Sequence, residues 1–173
     1  MKSSQQSRRR GAPLSFINQV VSAALFWLCV AAIPSVARAG TDACSLLTPA
    51  QVGAAVGVSV GGGKHATPTF VKACTWVASG GSKVEFVTLY LHTAAAYDGG
   101  KRIATQMAAT GKGAAIKPAG IGDDSYYFVA GRQVALLARK HGISFKVTVY
   151  ATLPVADKKA MEMILARELL ENL

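Results

Sequence analysis

The feature that most constrains this chain is a single apolar run close to its N-terminus. Residues 20–33 form a stretch of 14 residues without a charge, and the residues before it carry Lys2 and the triplet 8–10 of arginines but no acid. A transmembrane helix needs about 20 apolar residues, so this run is short for an anchor. A basic start followed by a short apolar stretch is typical of a secretory signal. The sequence therefore predicts export and excludes a protein with several membrane spans.

The end of the apolar run predicts where the signal is removed. Pro34 interrupts the run, and a small-residue site ends at Ala39. We expect cleavage between Ala39 and Gly40, which separates a signal peptide, residues 1–39, from a single domain, residues 40–173. An uncleaved N-terminal anchor is the alternative. The arginine triplet leaves both the general and the twin-arginine export routes open.

The charge balance changes when the signal is subtracted. The whole chain has 19 Lys and Arg residues and 9 Asp and Glu residues, a net charge of +10. Five of the cations and none of the acids precede Gly40, so residues 40–173 carry 14 − 9 = +5. Because these cations are scattered, the charge argues against nucleic acid as a partner. We expect an envelope or extracellular partner, and no membrane span once the signal is cleaved.

Helix and strand patterns alternate along the domain. A capping box at Thr48 and Gln51, with Pro49 in the first turn and Gly57 at the end, predicts the first helix. The predicted elements, in chain order, are a helix over 49–56, strands over 71–78 and 84–92, a helix over 94–109, strands over 126–129, 133–139 and 143–150, and a helix over 155–172. This order predicts an α+β fold, a single antiparallel sheet with helices packed on one face.

The second helical pattern contains a local conflict. Its Gly99-Gly100 pair lowers helix propensity by about 2 kcal/mol relative to alanines, which leaves open a start after Asp98. Its spacing directs Tyr97, Ala104 and Met107 toward the core, together with Ala108.

Three short motifs give the domain a resemblance to a known family. C-S-L-L-T at 44–48 leads into the first helix, C-T-W at 74–76 lies on a strand, and G-I-G-D at 120–123 precedes the second group of strands. The chain resembles a family of small exported bacterial domains of unknown function, many of them lipoproteins, with a C-S-L-L-T start and a G-L-G-D strand entry. The resemblance spans about residues 42–173. It implies an exported location and a plausible fold, but no established activity; the missing lipobox argues against a lipid anchor.

The cysteine count predicts one disulfide. Cys29 lies in the apolar run and leaves with the signal, so Cys44 and Cys74 remain. An even number of cysteines in a small exported domain, without metal-ligand spacing, is typical of a bridge. We predict a Cys44–Cys74 disulfide that ties the segment before the first helix to the sheet. Two buried free thiols are the alternative.

The catalytic motifs in the sequence lack the context that their chemistry needs. Ser59 lies in a G-x-S-x-G pattern, but that nucleophile motif requires a strand before the serine and a helix after it, and here a helix comes first. Asp123 and Asp124 form the sole adjacent acidic pair, and an aspartate after a glycine more often fixes a turn. We therefore favour a non-enzymatic domain; a small hydrolase using Ser59 or a carboxylate is the alternative.

Metal and cofactor sites are not predicted either. His65, His92 and His141 lie far apart in the sequence, without the close ligand spacing of zinc sites. We expect no catalytic residues, no metal and no cofactor.

One strand face offers a candidate binding surface. Apolar residues at 87, 89 and 91 predict the core side of their strand, so the residues between them point the other way. The candidate face combines aromatic, hydroxyl and cationic side chains of two strands: Phe86, Thr88, Tyr90, His92, Lys146, Thr148 and Tyr150. Such side chains on an open sheet are typical of recognition surfaces; a covering loop or helix is the alternative. The sequence thus predicts an exported binding or accessory domain for a protein, a glycan or a small ligand.

Overall fold

The computed structural model describes residues 42–111 and 113–173. The predicted signal peptide and its cleavage site at Ala39 and Gly40 lie outside the described residues. The helices are α1 (Pro49–Val56), α2 (Ala94–Ala109) and α3 (Val155–Glu171). The strands are β1 (Lys64–His65), β2 (Ala73–Val77), β3 (Val84–His92), β4 (Ala114–Pro118), β5 (Asp124–Ala130), β6 (Gln133–Lys140) and β7 (Ile143–Ala151).

The strands form one open antiparallel sheet. Their order is β1-β2-β3-β7-β6-β5-β4, so two meanders, β1 to β3 and β4 to β7, join where β3 pairs with β7. This confirms the predicted α+β class and the alternation of helices and strands. The edge strands β1 and β4 were not predicted, because neither short segment has an alternating apolar pattern.

Local sequence sets the helix boundaries. The Thr48 hydroxyl accepts a hydrogen bond from the Gln51 N–H at 3.2 Å, and the Gln51 side chain accepts one from the Thr48 N–H at 2.9 Å, so the predicted capping box is present. Gly57 ends α1 with a left-handed φ of 72°. The α2 helix begins at Ala94, so the suggested start after Asp98 is wrong. Tyr97, in the first turn of α2 before the glycine pair, is buried. Its burial offsets the low helix propensity of the two glycines.

The helices lie on both faces of the sheet. The first layer, α1 and α3, packs on a core of buried side chains that includes Val52, Trp76, Leu89, Leu136, Phe145, Val147, Leu165 and Leu169. On the other face, Tyr97 and Ala104 of α2 pack on Tyr126 and Leu137. Neighbouring strand residues point to opposite faces, so Tyr126 contacts α2 while Tyr127 joins the α1/α3 core. The prediction that the helices pack on one face is therefore wrong: α1 and α3 share one face, and α2 packs on the opposite one.

Cys44 and Cys74 form the predicted disulfide, with Cα atoms 5.0 Å apart. Cys44 belongs to a short 3-10 helix, Ala43–Ser45, and Cys74 to β2. The bridge thus ties the segment before α1 to the sheet, as expected from the sequence. In the part of the chain that the structure describes, no helix is long and apolar enough to cross a bilayer.

Candidate ligand groove

The α2 helix covers only part of its face of the sheet. It packs over β5 and β6, where Tyr126 and Leu137 are buried beneath it. On β2 and β3 of the same face, Phe86 and Tyr90 stay half-buried, and Val77 remains 57% exposed. Within the described residues, this part of the sheet is therefore only partly covered, although Thr88 in the middle of β3 is buried.

The structure brings the seven residues of the predicted face onto this surface. The register of β3 and β7 sets Phe86 opposite Tyr150, Thr88 opposite Thr148 and Tyr90 opposite Lys146, and paired residues of neighbouring strands point to the same side. The remaining member, His92, lies at the end of β3, where its ring Nε2 is buried without a hydrogen-bond partner in the described residues. Burial lowers its pKa.

Contacts between aromatic and cationic side chains order the face. The rings of Phe86 and Tyr150 stack with centroids 4.2 Å apart. The Lys146 ammonium lies 5.0 Å from the centroid of the Tyr90 ring. Such contacts contribute about 1 kcal/mol each and hold the rings in fixed positions.

A groove of about 300 Å³ runs between α2 and the sheet. One side is formed by Lys146, Thr148 and Tyr150 of the predicted face. The other is formed by α2, whose Ile103 and Met107 are one turn apart and 60% and 45% exposed. The floor consists mostly of apolar residues of β5 and β6, among them Tyr126, Phe128, Val134, Ala135 and Leu137.

The contribution of α2 to the groove was not foreseen. The helical pattern predicts that Met107 points into the core, and this is wrong: the side chain lies at the groove instead. The pattern distinguishes an apolar helix face from a polar one, but it does not tell how much of that face the sheet covers.

One cation of the groove has no acidic partner. In residues 42–111 and 113–173, carboxylates form ion pairs with His65, Lys101 and Arg139, but not with Lys146. Lys146 is half-buried beside apolar side chains, where a positive charge is less screened than on an open surface. The groove therefore combines an apolar lining with an unpaired positive charge.

Strands β6 and β7 separate at the floor of the groove. They pair from Leu136 with Val147 to the end of β6, whereas the first residues of β6 pair with β5 alone. Where the ladder stops, the Val149 N–H donates to the Glu162 carboxyl of α3, with N and Oε1 3.0 Å apart. The Lys158 ammonium donates to the Arg132 carbonyl at the same corner. Side chains of α3 thus replace the missing strand partners.

Glu162 is the most perturbed acid of this corner. It is fully buried, and this burial raises its pKa to about 8. Its second oxygen has no hydrogen-bond partner in the described residues. The carboxyl is therefore mostly protonated at neutral pH. The sequence pattern does not predict this burial, because Lys158 and Glu162, one turn apart, are typical of an exposed helix face.

Two ion pairs attach α2 to the sheet. Lys101 lies 2.7 Å from Asp124, and Arg139 lies 3.1 Å from Asp98. The hydrogen bond from Lys101 lowers the pKa of Asp124. Arg139 also lies 5.2 Å from the centroid of the Tyr97 ring. The two ion pairs hold α2 against the sheet, so the charges of Lys101 and Arg139 are already paired with carboxylates.

Ser59 and Asp123, the residues of the alternative hydrolase, lie outside the helices and strands. Ser59 is exposed after α1, and no hydrogen bond of its side chain to a histidine or carboxylate occurs among the described residues. Asp123 accepts a hydrogen bond from the His141 N–H at 2.8 Å, so it fixes the turn between β6 and β7. The sequence predicted that an aspartate here fixes its own turn after Gly122; the amide that it binds lies instead 18 residues away in the sequence.

No family model, curated protein or solved structure matches the chain. The interpretation of the groove therefore depends on its own geometry and charge.

Proposed function

We propose that this protein is an exported, non-enzymatic binding protein whose groove holds a small amphipathic anion. The unpaired Lys146 at the edge of an apolar groove is the observation that carries the proposal. Export is supported by the secretory signal pattern of residues 1–39. The resemblance to small exported bacterial domains supports the exported location.

The lining of the groove defines the ligand by its chemistry. A volume of about 300 Å³ is at the lower end of the range for small-molecule sites. Ile103, Met107 and Phe128 favour an apolar body, because its contact with them removes apolar surface from water. Lys146 favours a carboxylate or sulfonate at one end, and the hydroxyl groups of Thr148 and Tyr150 add hydrogen-bonding capacity there.

Two fluorescent probes of similar size test the proposal. An anilinonaphthalene sulfonate carries an apolar body and an anion, and phenylnaphthylamine carries the apolar body alone. We expect the anionic probe to bind more tightly. Lys146→Met should weaken the anionic probe about tenfold, through loss of one charge-assisted contact, and leave the neutral probe unchanged.

A groove-filling variant separates the apolar body from the charge. Ala135→Leu places extra carbons in the groove and should weaken both probes. Lys117→Met and Ala156→Leu are matched controls, because both residues are exposed outside the groove. Binding that neither groove variant changes, or equal affinity for the two probes, would contradict the proposal.

A further inference from the structure

The disulfide corner of the sheet holds more metal-ligating atoms than the bridge uses. Asp42, Cys44 and His65 each offer one ligand atom, and these atoms lie within 4.8 Å of one another. Cys74, bonded to Cys44, adds a second sulfur. The four side chains come from the 3-10 helix and its N-cap, from β1 and from β2. Separate segments of the fold therefore bring three ligand atoms together, and the bond to Cys44 holds Cys74 Sγ beside them.

Backbone pairing and hydrogen bonds hold these side chains in place. His65 lies directly opposite Cys74 in the pairing of β1 with β2. One carboxylate oxygen of Asp42 accepts a hydrogen bond from the Cys44 N–H at 2.8 Å and lies 2.8 Å from His65 Nε2. The oxygen and nitrogen ligands are thus already oriented.

A buried donor without a partner borders the sulfur atoms. Trp76 is fully buried, and its indole N–H has no hydrogen-bond partner in the described residues. A Cβ placed on Gly63 would lie 2.6 Å from Cys74 Sγ and 2.8 Å from Trp76 Nε1, so both atoms pack against the backbone of Gly63 and leave no room for a side chain there. Disulfide sulfur is a weak acceptor, whereas a charged thiolate accepts strongly. Donors of this kind commonly surround metal-bound ligands.

We propose that this corner binds one Zn²⁺ when the disulfide is reduced, through Cys44, Cys74, His65 and Asp42. Two thiolates, one imidazole and one carboxylate match the donor types and the fourfold coordination of zinc in proteins. The indole N–H of Trp76 then has a thiolate beside it. The two states exclude each other, because the same sulfur atoms form either the bridge or the metal site.

Reduction by a phosphine supplies two electrons that break the S–S bond. The phosphine is oxidised to its phosphine oxide with the oxygen of one water molecule, and the two protons of that water complete the two thiols. Zn²⁺ then displaces both thiol protons to the solvent, because the thiolate is the ligand. His65 binds in its neutral form and Asp42 as the carboxylate.

Zinc titration of the oxidised and reduced protein tests the proposal. The purified protein is reduced with a phosphine, and Zn²⁺ affinity is measured by competition with a chromophoric chelator. We expect one Zn²⁺ per reduced chain and no stoichiometric binding by the oxidised chain. Co²⁺ in place of Zn²⁺ should give the thiolate-to-metal charge-transfer absorption. His65→Ala should weaken binding by about tenfold or more, while His141→Asn, in an exposed turn, should not change it.

Circular dichroism keeps the test valid if reduction unfolds the domain. In that case Zn²⁺ should restore the spectrum of the sheet, since metal binding and folding are linked. Three results would overturn the proposal. These are no Zn²⁺ bound by the reduced chain, equal binding by the oxidised chain, or binding that is insensitive to His65→Ala and adds no thermal stability.

Discussion

On the α1/α3 face of the sheet, helix and strands meet through fully buried aliphatic side chains such as Leu89, Leu136 and Leu165. On the α2 face, the helix is held by two partly exposed ion pairs and leaves Ile103 and Met107 exposed. The α1/α3 face is therefore closed to water along α3. On the α2 face, the helix covers one part of the sheet and leaves the rest exposed.

This difference separates stability from recognition. A fully buried leucine contributes about 2 kcal/mol or more through removal from water, while a partly exposed ion pair contributes about 1 kcal/mol or less. The α1/α3 face therefore supplies most of the stability of the fold. The α2 face leaves apolar surface exposed beside Lys146, which forms no ion pair within the described residues, and it is the face that we propose binds a ligand.

The largest expected effect comes from equal truncations on the two faces. Leu169 of α3 is fully buried, and Leu169→Ala should destabilise the protein by about 3 kcal/mol through lost burial and a cavity. Ile103→Ala removes a similar volume from α2 but should change stability by less than about 1 kcal/mol, because the side chain is 60% exposed. Urea unfolding of both variants measures the difference. Similar losses would mean that the two faces stabilise the fold equally.

The pH dependence of stability sharpens the comparison at the corner where α3 supports the split strands. The unfolded Glu162 loses its proton near pH 4.5, whereas the folded one keeps it up to about pH 8. The stabilisation of the folded state by the buried, protonated Glu162 is therefore fully present below pH 4.5 and is lost as the pH rises through 8. Glu162→Gln should remove this dependence. The free energy of unfolding of the variant, compared with that of the wild type, should therefore rise by about 3 kcal/mol from pH 5 to pH 8.

The difference between the two proteins, measured by urea unfolding at pH 5 and pH 8, isolates this effect. The lowered pKa of His92 acts in the opposite direction near neutral pH, but it is common to both. Glu171→Gln changes an exposed acid of the same helix and serves as the control. Parallel profiles of wild type and Glu162→Gln would show that this carboxyl does not titrate as a buried group.

The smallest effect concerns the start of α1, on the closed face. Thr48→Ala removes the side-chain acceptor for the Gln51 N–H and should cost about 1 kcal/mol. Thr110→Ala, at the end of α2, removes a hydroxyl that donates to a backbone carbonyl and is the matched control on the other face. A thermal melt of Thr48→Ala that coincides with the wild type would contradict the role of the capping box.

Local signals predicted the parts of the fold that depend on near neighbours. The capping box at Thr48 and the left-handed Gly57 delimit α1, and alternation along β3 and β7 identified the residues that share a face. The Cys44–Cys74 bridge was predicted from the even number of cysteines in the domain and from its expected export. Each of these predictions depends on residues that are close in the sequence or on the composition of the chain.

The groove depends on contacts that no local pattern contains. Its walls, α2 and β7, are separated in the sequence by three strands, and its depth is set by how far α2 reaches across the sheet. The same holds for Glu162, whose partner Val149 is a strand residue left free where β6 diverges. Pairing of strands decides both features, so the sequence identified Lys146, Thr148 and Tyr150 but not the helix opposite them.

Ligand binding at the groove can be observed residue by residue by nuclear magnetic resonance of the isotope-labelled protein, titrated with the anionic naphthalene sulfonate. We expect saturable shifts of backbone and methyl signals from Ile103, Met107 and Thr148, with unchanged signals from Val52 and Leu165 on the α1/α3 face. We also expect Lys146→Met to weaken this response and to leave the spectrum of the free protein otherwise intact. Shifts confined to the α1/α3 face, or no saturable shift at the groove, would contradict the assignment of the open face to ligand binding.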